Sequence, residues 1–542
     1  MRIKLISPPP LGITTVNTND IVLPCGIGTL TAFLRKNNIA VDQVDLNALL
    51  RRSYLSIPEL QRLYRDICGL WKDQIRSQDY LGLSRGANNS VAERLLDLAD
   101  ITPDYALVGI SIMSNNQIFA SLLLAEKIKK EYNIPVVIGG PQVIASAHLY
   151  LQNYDFIDYA VAGEGETPLL KLIHWFKGEG ELQEIPSLWY RKGSRVLFTG
   201  RHFYHIEDQS CPDFDGLPLE LYQYKFKKQE DKLPIPYSLS RGCMNRCNFC
   251  AYRDIDGSWQ AKSIKKAIRD IAFLKEKYRS DLFAFHDTNF NASYQHVEEF
   301  CDGLADAGLH IAWQAIGTLK NIDRRLLVKM AKAGCFCVYW GFESGSKKIL
   351  QAMDREFDIT EEIHILKMAH EVGIKNHLTL MIGYPYETID DLKETALFLK
   401  AHADIIEGVR IAPFQLLLGT EIFKNPQRAG IKIKKHPFSF IFRYDFQEIN
   451  REESERMKRE LRRWQRKLFS YNLKYIVSKS ARFPYNTFLY LFDLELLTPL
   501  INLLKKAYLK PGVYRLPYMK MIMFKFQYLA QYLPVTYDII KR

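Results

Sequence analysis

Three cysteines stand close together in the stretch RGCMNRCNFC, in a chain with only nine cysteines among 542 residues. Cys243, Cys247 and Cys250 are separated by four and three positions, and thiolates this close in one loop can converge on a soft metal centre. A structural zinc site normally needs a fourth protein ligand, for which His286 and Cys301 are the next candidates along the chain. The triplet therefore predicts either a zinc site completed by a distant residue, or a 4Fe–4S cluster with one iron left open.

The spacing Cys-x3-Cys-x2-Cys, with Phe249 before the last cysteine, resembles the signature of radical S-adenosylmethionine (radical SAM) enzymes. The resemblance implies that Cys243, Cys247 and Cys250 hold three irons of a 4Fe–4S cluster and that the open iron binds S-adenosylmethionine. One electron from the cluster would then cleave this cofactor to a 5′-deoxyadenosyl radical. Phe249 is a predicted contact of the same cofactor.

The elements that must position this triplet follow a regular rhythm of apolar strand and helix patterns. Six apolar runs, each followed by a helix-like segment, lie between residues 233 and 440: IPYSLS, DLFAFHD, HIAWQAIG, CFCVYWGFES, NHLTLMIGYP and IEGVRIAPFQL. Six such units fit a partial (β/α)6 TIM-type barrel, in which chemistry lies on the loops after the strands. The triplet follows the first of these strands, where a barrel places its reactive groups.

Other loops of the predicted barrel resemble the cofactor-binding segments of radical SAM enzymes. The predicted contacts of S-adenosylmethionine come from FHDTNF, GFESGS and MIGYP, and they are Asp287, Asn289, Glu343, Ser344 and Gly383. Capping of a helix is the alternative role for Asp287, Glu343 and Ser344. Cys335 and Cys337 lie two apart on one strand, so their side chains share a face, and we expect buried core thiols.

Residues 1–189 show a second series of apolar strands joined by helical patterns, including IKLIS, DYALVGISI, IPVVIGG and FIDYAVAG. Buried runs of this kind predict a doubly wound, Rossmann-like parallel sheet with its ligand at the carboxyl ends of the strands. Residues 190–232 lose the rhythm and are expected to form a linker with a small strand pair.

A doubly wound domain before a radical SAM barrel resembles the cobalamin-dependent branch of the family, which implies a bound cobalamin. Glycines at the strand ends would allow the corrin ring to approach the backbone closely. The predicted cobalamin contacts are Ser111, Ser114, Asn115, Gly139, Gly140, Gly163 and Glu164, with a strand-end cap as the alternative for the first three. Residues 8–26 contain no histidine, so we expect the lower face of cobalt to lack a protein imidazole.

Methylthiotransferases also place a domain before a radical SAM barrel, but they hold a second cluster there with three cysteines. This chain has only Cys25 and Cys68 before residue 200, which disfavours that family.

Residues 441–542 are expected to form a basic, aromatic and mainly helical domain. The segment 451–542 holds 19 Lys and Arg against 7 Asp and Glu, and this difference of 12 equals the net charge of +12 of the whole chain. A helical cap that closes the barrel is one interpretation. The alternative is a surface for a lipid-like or polyanionic substrate or for a membrane, because aromatic rings with lysine and arginine suit an anionic interface. Nucleic acid is disfavoured, since no binding motif accompanies the charge.

Taken together, the patterns predict a cobalamin-dependent radical SAM enzyme that methylates an unactivated carbon. Radical cyclisation or rearrangement without methylation is an alternative, and so is a non-catalytic metal-binding scaffold. A small-molecule or lipid-like substrate and an external electron donor of the flavodoxin or ferredoxin type are the expected partners. The sequence shows no signal peptide and no long uncharged apolar stretch, which predicts a cytoplasmic protein, with attachment to a membrane surface as the alternative. It singles out no catalytic side chain beyond the cofactor ligands.

Overall fold

The computed structural model describes most of the chain up to residue 449 and four residues beyond it. The described residues are 1–10, 22–54, 89–226, 230–252, 255, 257–355, 358–434, 443–444, 446–449, 460–461 and 463–464.

The N-terminal sheet has seven strands, and the first five are parallel. The strands are β1 Arg2–Ser7, β2 Ala40–Asp45, β3 Tyr105–Ser111, β4 Val136–Gly139, β5 Tyr159–Val161, β6 Leu188–Lys192 and β7 Arg195–Phe198, in the order β2-β1-β3-β4-β5-β6-β7. The helices are α1 Cys25–Lys36, α2 Leu46–Tyr54, α3 Asn89–Ala99, α4 Asn115–Tyr132, α5 Pro141–Ile144, α6 Ala147–Asn153 and α7 Glu166–Phe176.

Helices cover this sheet on both faces, which explains why its strands are apolar along their length. One buried cluster includes Leu122 and Tyr150 of α4 and α6, and a separate cluster includes Ile27 and Leu172 of α1 and α7. This is the predicted doubly wound arrangement.

The first sheet extends past the expected boundary at residue 189. The hairpin β6–β7 crosses this boundary, and β6 pairs antiparallel with β5, Ala160 opposite Trp189. A second small strand pair, Tyr224–Phe226 with Glu230–Lys232, lies wholly within the expected linker. The ring of Trp189 stacks on that of Phe198 at 4.6 Å between centroids. The hairpin therefore belongs to the first domain, and the connecting segment begins only after Phe198.

The second sheet is the predicted barrel of six parallel strands, adjacent in the order in which they occur in the chain. Small pairs of strands flank it, and the elements in chain order are β8 Tyr224–Phe226, β9 Glu230–Lys232, β10 Ile235–Tyr237, β11 Ser240–Arg241, β12 Gln260–Ala261, β13 Leu282–Phe285, β14 Ala312–Gly317, β15 Cys335–Glu343, β16 Lys375–Ile382 and β17 Gly408–Pro413. The barrel is formed by β10 and β13–β17.

The barrel helices are α8 Ile264–Tyr278, α9 Tyr294–Asp306, α10 Arg324–Lys332, α11 Lys347–Ala352, α12 Ile359–Glu371 and α13 Ile389–Ala401. Short 3₁₀ helices occupy Leu182–Glu184, Ile206–Asp208, Leu219–Tyr222 and Pro426–Ala429. Large rings such as Phe285, Trp313 and Trp340 are fully buried in the barrel. Cys335 and Cys337 are also buried, as expected for core thiols.

The segment after the last barrel strand folds back onto itself. Its elements are β18 Leu416–Leu417, α14 Glu421–Lys424, β19 Ile431–Ile433, β20 Arg443–Tyr444 and β21 Phe446–Glu448. Because β18 pairs with β20 and β19 with β21, the structure continues across the expected boundary at residue 440.

Beyond residue 449 the structure describes only 460–461 and 463–464, which are helical, so the basic aromatic domain predicted for 441–542 lies almost entirely outside the described residues. None of the described helices is both long and apolar enough to cross a membrane.

Candidate functional site

The cysteine loop, residues 242–259, is held at both ends by one short ladder. Strand β11 before the loop pairs antiparallel with β12 after it, with Ser240 opposite Ala261 and Arg241 opposite Gln260. Gly242 opens the loop at φ +86°, and a Cβ there would lie 2.7 Å from the carbonyl oxygen of Ser258. The turn before Cys243 therefore requires glycine.

Asn248, between the second and third cysteines, ties the middle of the loop to the barrel. Its Nδ2 donates to the carbonyl oxygen of Ala352 at 2.8 Å, and its backbone N–H donates to that of Met353 at 3.2 Å. Its own carbonyl accepts from the N–H of Ile422 at 3.0 Å, and its Oδ1 accepts from the Tyr384 hydroxyl at 2.9 Å. The motif's spacing alone does not predict this anchor, although an asparagine inside a metal-binding motif is a visible signal.

The three cysteines are half-buried. Burial raises the pKa of Cys250 to about 12 and raises that of Cys247, which nearby Arg355 partly opposes. Thiols that burial keeps protonated release their protons when a metal replaces them, so this donor set fits an iron–sulfur cluster. Among the residues that the structure describes, no group of three His, Cys, Asp or Glu side chains is arranged to hold a single metal ion.

Phe249 packs against a buried apolar cluster that includes Met353, Tyr384, Phe414 and Ile422. The packing fixes the loop beside the last cysteine. The contact of Phe249 with S-adenosylmethionine stays a prediction.

Asp287, at the end of β13, supports the residues that lead into the cysteine loop. Its carboxylate accepts hydrogen bonds from the N–H of Leu239 at 3.1 Å and from the N–H and hydroxyl of Ser240, each at 2.5 Å. Burial raises its pKa to about 6 despite these bonds. These described partners lie at the start of β11 and not at a helix terminus, so Asp287 anchors the backbone before the cysteine loop. Its contact with S-adenosylmethionine stays a prediction.

The side chains of Asn289 and Ser344 have local partners at the carboxyl ends of the barrel strands. The Oδ1 of Asn289 lies 3.5 Å from the Thr318 hydroxyl, and the hydroxyl of Ser344 accepts from the N–H of Ser346 at 3.1 Å. Gly383 adopts φ +80° and forms the expected turn after β16. These residues shape the strand ends, and their cofactor contacts remain predictions.

Glu343 ends β15 with φ +67° and faces an arginine that the sequence patterns did not single out. Its carboxylate lies 3.8 Å from Nη1 of Arg355, whose Nη2 lies 3.2 Å from the buried Glu362. Burial raises the pKa of Glu343, and it raises that of Glu362 to about 7, while Arg355 opposes both shifts. Burial raises the pKa of Cys247, and the charges of Arg355 and Glu343 act on it in opposite directions, so both side chains lie near this cysteine.

A separate cleft of about 240 Å³ lies at the carboxyl ends of β1, β3, β4 and β5. Five of the predicted cobalamin contacts line it: Ser111, Gly139, Gly140, Gly163 and Glu164. Gly140 adopts φ +97°, and a Cβ there would lie 2.7 Å from the carbonyl oxygen of Ile112, so the strand end stays bare. Among the described lining residues there is no histidine.

The other two predicted cobalamin contacts are not part of this lining. Ser114 is the N-cap residue of α4, and its N–H donates to Oε1 of Gln117 at 3.2 Å, so it caps a helix, and its contact with cobalamin stays a prediction. Asn115 is the first residue of α4, and its side chain lies outside the described residues.

Arg241 brings the cysteine loop into this cleft. It lines the cleft together with Ile255, and its Nη1 lies 3.1 Å from Oε1 of Glu164. The cleft therefore reaches from the edge of the first sheet to a residue two positions before Cys243. Sequence patterns did not assign a role to Arg241, although it directly precedes the motif.

Comparison with known proteins agrees with this geometry. The model of the Radical SAM superfamily matches residues 237–399, and that of the B12 binding domain matches residues 67–173. An uncharacterized methyltransferase of Pyrococcus horikoshii is 26% identical over 56% of this chain and 66% of its own length. The anaerobic magnesium-protoporphyrin IX monomethyl ester cyclase of Cereibacter sphaeroides is 23% identical over 57% of this chain and 50% of its own length. The chain thus spans half to about two thirds of these curated relatives.

Two solved structures share the fold. The radical SAM methyltransferase TsrM from Kitasatospora setae, with cobalamin and a 4Fe–4S cluster bound, aligns with a TM-score of 0.58 and 15% identity over 80% of this chain and 77% of that chain. The cobalamin-dependent radical SAM enzyme OxsB, with aqua-cobalamin and S-adenosylmethionine bound, aligns with a TM-score of 0.62 and 16% identity over 92% of this chain and 75% of that chain. The chain therefore carries a Radical SAM domain and a B12-binding domain, which imply a 4Fe–4S cluster, S-adenosylmethionine and cobalamin as cofactors, and it shares the fold of these cobalamin-dependent enzymes.

Proposed function

We propose that the protein is a methyltransferase that transfers a methyl group to an unactivated carbon of its substrate. The observation that carries the proposal is the position of Arg241, which lines the cobalamin cleft and precedes the first cluster cysteine by two residues. When bound, the cluster with S-adenosylmethionine supplies a 5′-deoxyadenosyl radical, and cobalamin supplies a methyl group. A carbon radical formed close to the methyl donor reacts before it can diffuse or be quenched.

The chain's own residues hold these two reactive groups in fixed places. Gly242, Asn248 and Asp287 immobilise the cysteine loop through backbone geometry and hydrogen bonds. Gly140 keeps the end of β4 free of side chains, so that a flat ring can lie against the sheet edge. Arg241 links the loop to the cleft through its ion pair with Glu164.

The methyltransferase relatives support methyl transfer, since both the Pyrococcus horikoshii protein and TsrM carry that name. The cyclase relative supports a second candidate, radical ring formation without methylation. The two reactions differ in their by-products. Methyl transfer to a carbon radical consumes two molecules of S-adenosylmethionine, giving one 5′-deoxyadenosine and one S-adenosylhomocysteine, whereas cyclisation gives no S-adenosylhomocysteine.

We propose a small-molecule or lipid-like substrate and an external one-electron donor of the flavodoxin or ferredoxin type. We place the protein in the cytoplasm or at a membrane surface. Exposed side chains of the cysteine loop support the approach of a donor, because Met244 and Tyr252 are 53% and 48% exposed. The basic tail, which supports a lipid-like substrate, lies outside the described residues.

The test is anaerobic reconstitution of the cluster and cobalamin, followed by reduction in the presence of S-adenosylmethionine and a small-molecule and lipid extract. We expect 5′-deoxyadenosine and S-adenosylhomocysteine in equal amounts, with one product heavier than its precursor by one CH₂ unit. Methyl-deuterated S-adenosylmethionine should pass its label to that product. An intact cluster that yields no 5′-deoxyadenosine contradicts the radical proposal, and 5′-deoxyadenosine with a product of unlabelled carbon favours cyclisation.

A further inference from the structure

An ion pair between the two domains lies inside the cobalamin cleft. Arg241 directly precedes the cysteine loop, and Glu164 follows β5. Nη1 of Arg241 lies 3.1 Å from Oε1 of Glu164, and the two side chains are 24% and 10% exposed. Both line the cleft. The pair therefore joins the wall formed by the first sheet to the wall formed by the cysteine loop.

This pair is close but not satisfied. Nη1 of Arg241 lies 3.1 Å from Oε1 of Glu164, but it makes no hydrogen bond with that oxygen. Within the described part of the chain, Oε2 of Glu164 is likewise a buried atom without a hydrogen-bond partner. Buried polar atoms in native proteins nearly always have a partner, because an unmade hydrogen bond in a dry site costs the full desolvation of the group. One unsatisfied atom is an acceptor and the other a donor, and both belong to side chains that line the cleft.

A primary carboxamide is the ligand group that complements such a pair. Its NH₂ can donate to a carboxylate oxygen while its carbonyl accepts from a guanidinium nitrogen, and both bonds are charge-assisted. A corrin ring carries a set of these amides around its edge. We propose that Arg241 and Glu164 together bind one carboxamide of cobalamin, an inference that rests on the cobalamin site of the proposed function.

The arrangement gives Arg241 a positioning role for the second cofactor as well. Arg241 belongs to the β11–β12 ladder and precedes the fixed turn at Gly242. A cobalamin amide bound by Arg241 therefore also fixes the backbone just before the loop that bears Cys243. Occupation of the cleft should slow hydrogen exchange in residues 239–252.

The first test measures the Kd of hydroxocobalamin by absorbance titration of the full chain without a cluster. We expect Arg241→Gln to weaken binding by about tenfold, the loss typical of one charge-assisted hydrogen bond. Arg241→Lys should recover only part of it, because an ammonium group lacks the planar fork of a guanidinium. The control is Arg195→Gln, which changes an exposed arginine of the first domain and should leave the Kd unaltered.

The second test starts from wild-type protein, so its main comparison does not depend on the folding of a variant. Wild-type protein is titrated with cobalamin derivatives in which a single carboxamide is hydrolysed to a carboxylate. One derivative should bind about tenfold more weakly than the others, because its carboxylate meets Glu164, and Glu164→Gln should remove that difference. In hydrogen-exchange measurements, the same derivative should fail to protect residues 239–252.

The outcomes separate this inference from the proposed function. If wild-type protein binds all derivatives equally, or Arg241→Gln keeps the wild-type Kd, the amide contact is wrong while cobalamin dependence stands. If wild-type protein binds no cobalamin at all, the proposed function fails together with this inference.

Discussion

Replacing Gly242 with alanine tests whether the backbone at the start of the cysteine loop governs cluster binding. At φ +86° an L-residue pays about 1–2 kcal/mol. The new Cβ would also lie 2.7 Å from the Ser258 carbonyl oxygen and 2.9 Å from its carbon. These are backbone atoms that cannot rotate away, and forcing them apart costs about 1–3 kcal/mol. The sum is about 3 kcal/mol, or roughly a hundredfold in the population of the native loop.

The assay is the iron and sulfide content per chain after anaerobic reconstitution, together with the melting temperature. Gly308→Ala is the matched control, because Gly308 also has positive φ, +58°, but nothing lies within 4 Å of its Cβ position. This control should lose about 1 kcal/mol of stability and keep a full cluster. If Gly242→Ala binds as much iron as Gly308→Ala and melts at the same temperature, the close approach to Ser258 does not hold the loop, and the reasoning is refuted.

Three further predictions concern the cluster, its anchor and the first domain. Cys247→Ala should abolish formation of 5′-deoxyadenosine, measured by chromatography, whereas Cys335→Ala, which removes a buried core thiol, should retain it; activity in the first variant would reassign the cluster ligands. Asn248→Ala removes the hydrogen bond to Ala352 and the acceptor for Tyr384, so iron retention should fall while circular dichroism stays native; unchanged retention would show that the anchor is dispensable. Asp45 is buried with its pKa raised to about 6, so the folded state holds its proton over a range where the unfolded chain has lost it. Stability should therefore fall by up to about 3 kcal/mol as pH rises from about 4 to about 6, and Asp45→Asn should flatten this part of the melting-temperature profile; parallel profiles for the two proteins would exclude Asp45 as the source.

Much of this architecture is readable from local patterns. The six barrel strands are apolar runs separated by helices, and their parallel order follows from the alternation itself. The Cys243 triplet is also a local signal, because three ligands in one loop need no distant partner. These parts of the prediction depend on neighbours in sequence, and the structure confirms the strands.

The remaining features depend on which distant segments meet. Asp287 contacts Ser240 across forty-seven positions, and Asn248 reaches Ala352 across one hundred and four. Arg241 meets Glu164 only because the two domains pack against each other. The hairpin β6–β7 joined the first sheet for a similar reason, since antiparallel pairing with β5 depends on an open sheet edge that residue types in the hairpin do not reveal. Spacing along the chain carries no information about such contacts.

The two-residue ladder between β11 and β12 has a consequence for how this kind of protein can diverge. The pairing of β11 with β12 fixes both ends of the cysteine loop. Residues added or deleted after Cys250 therefore change the length of the loop without shifting the register of the barrel strands. The stretch between Cys250 and β12 can thus change in length while the cysteines keep their place beside the barrel.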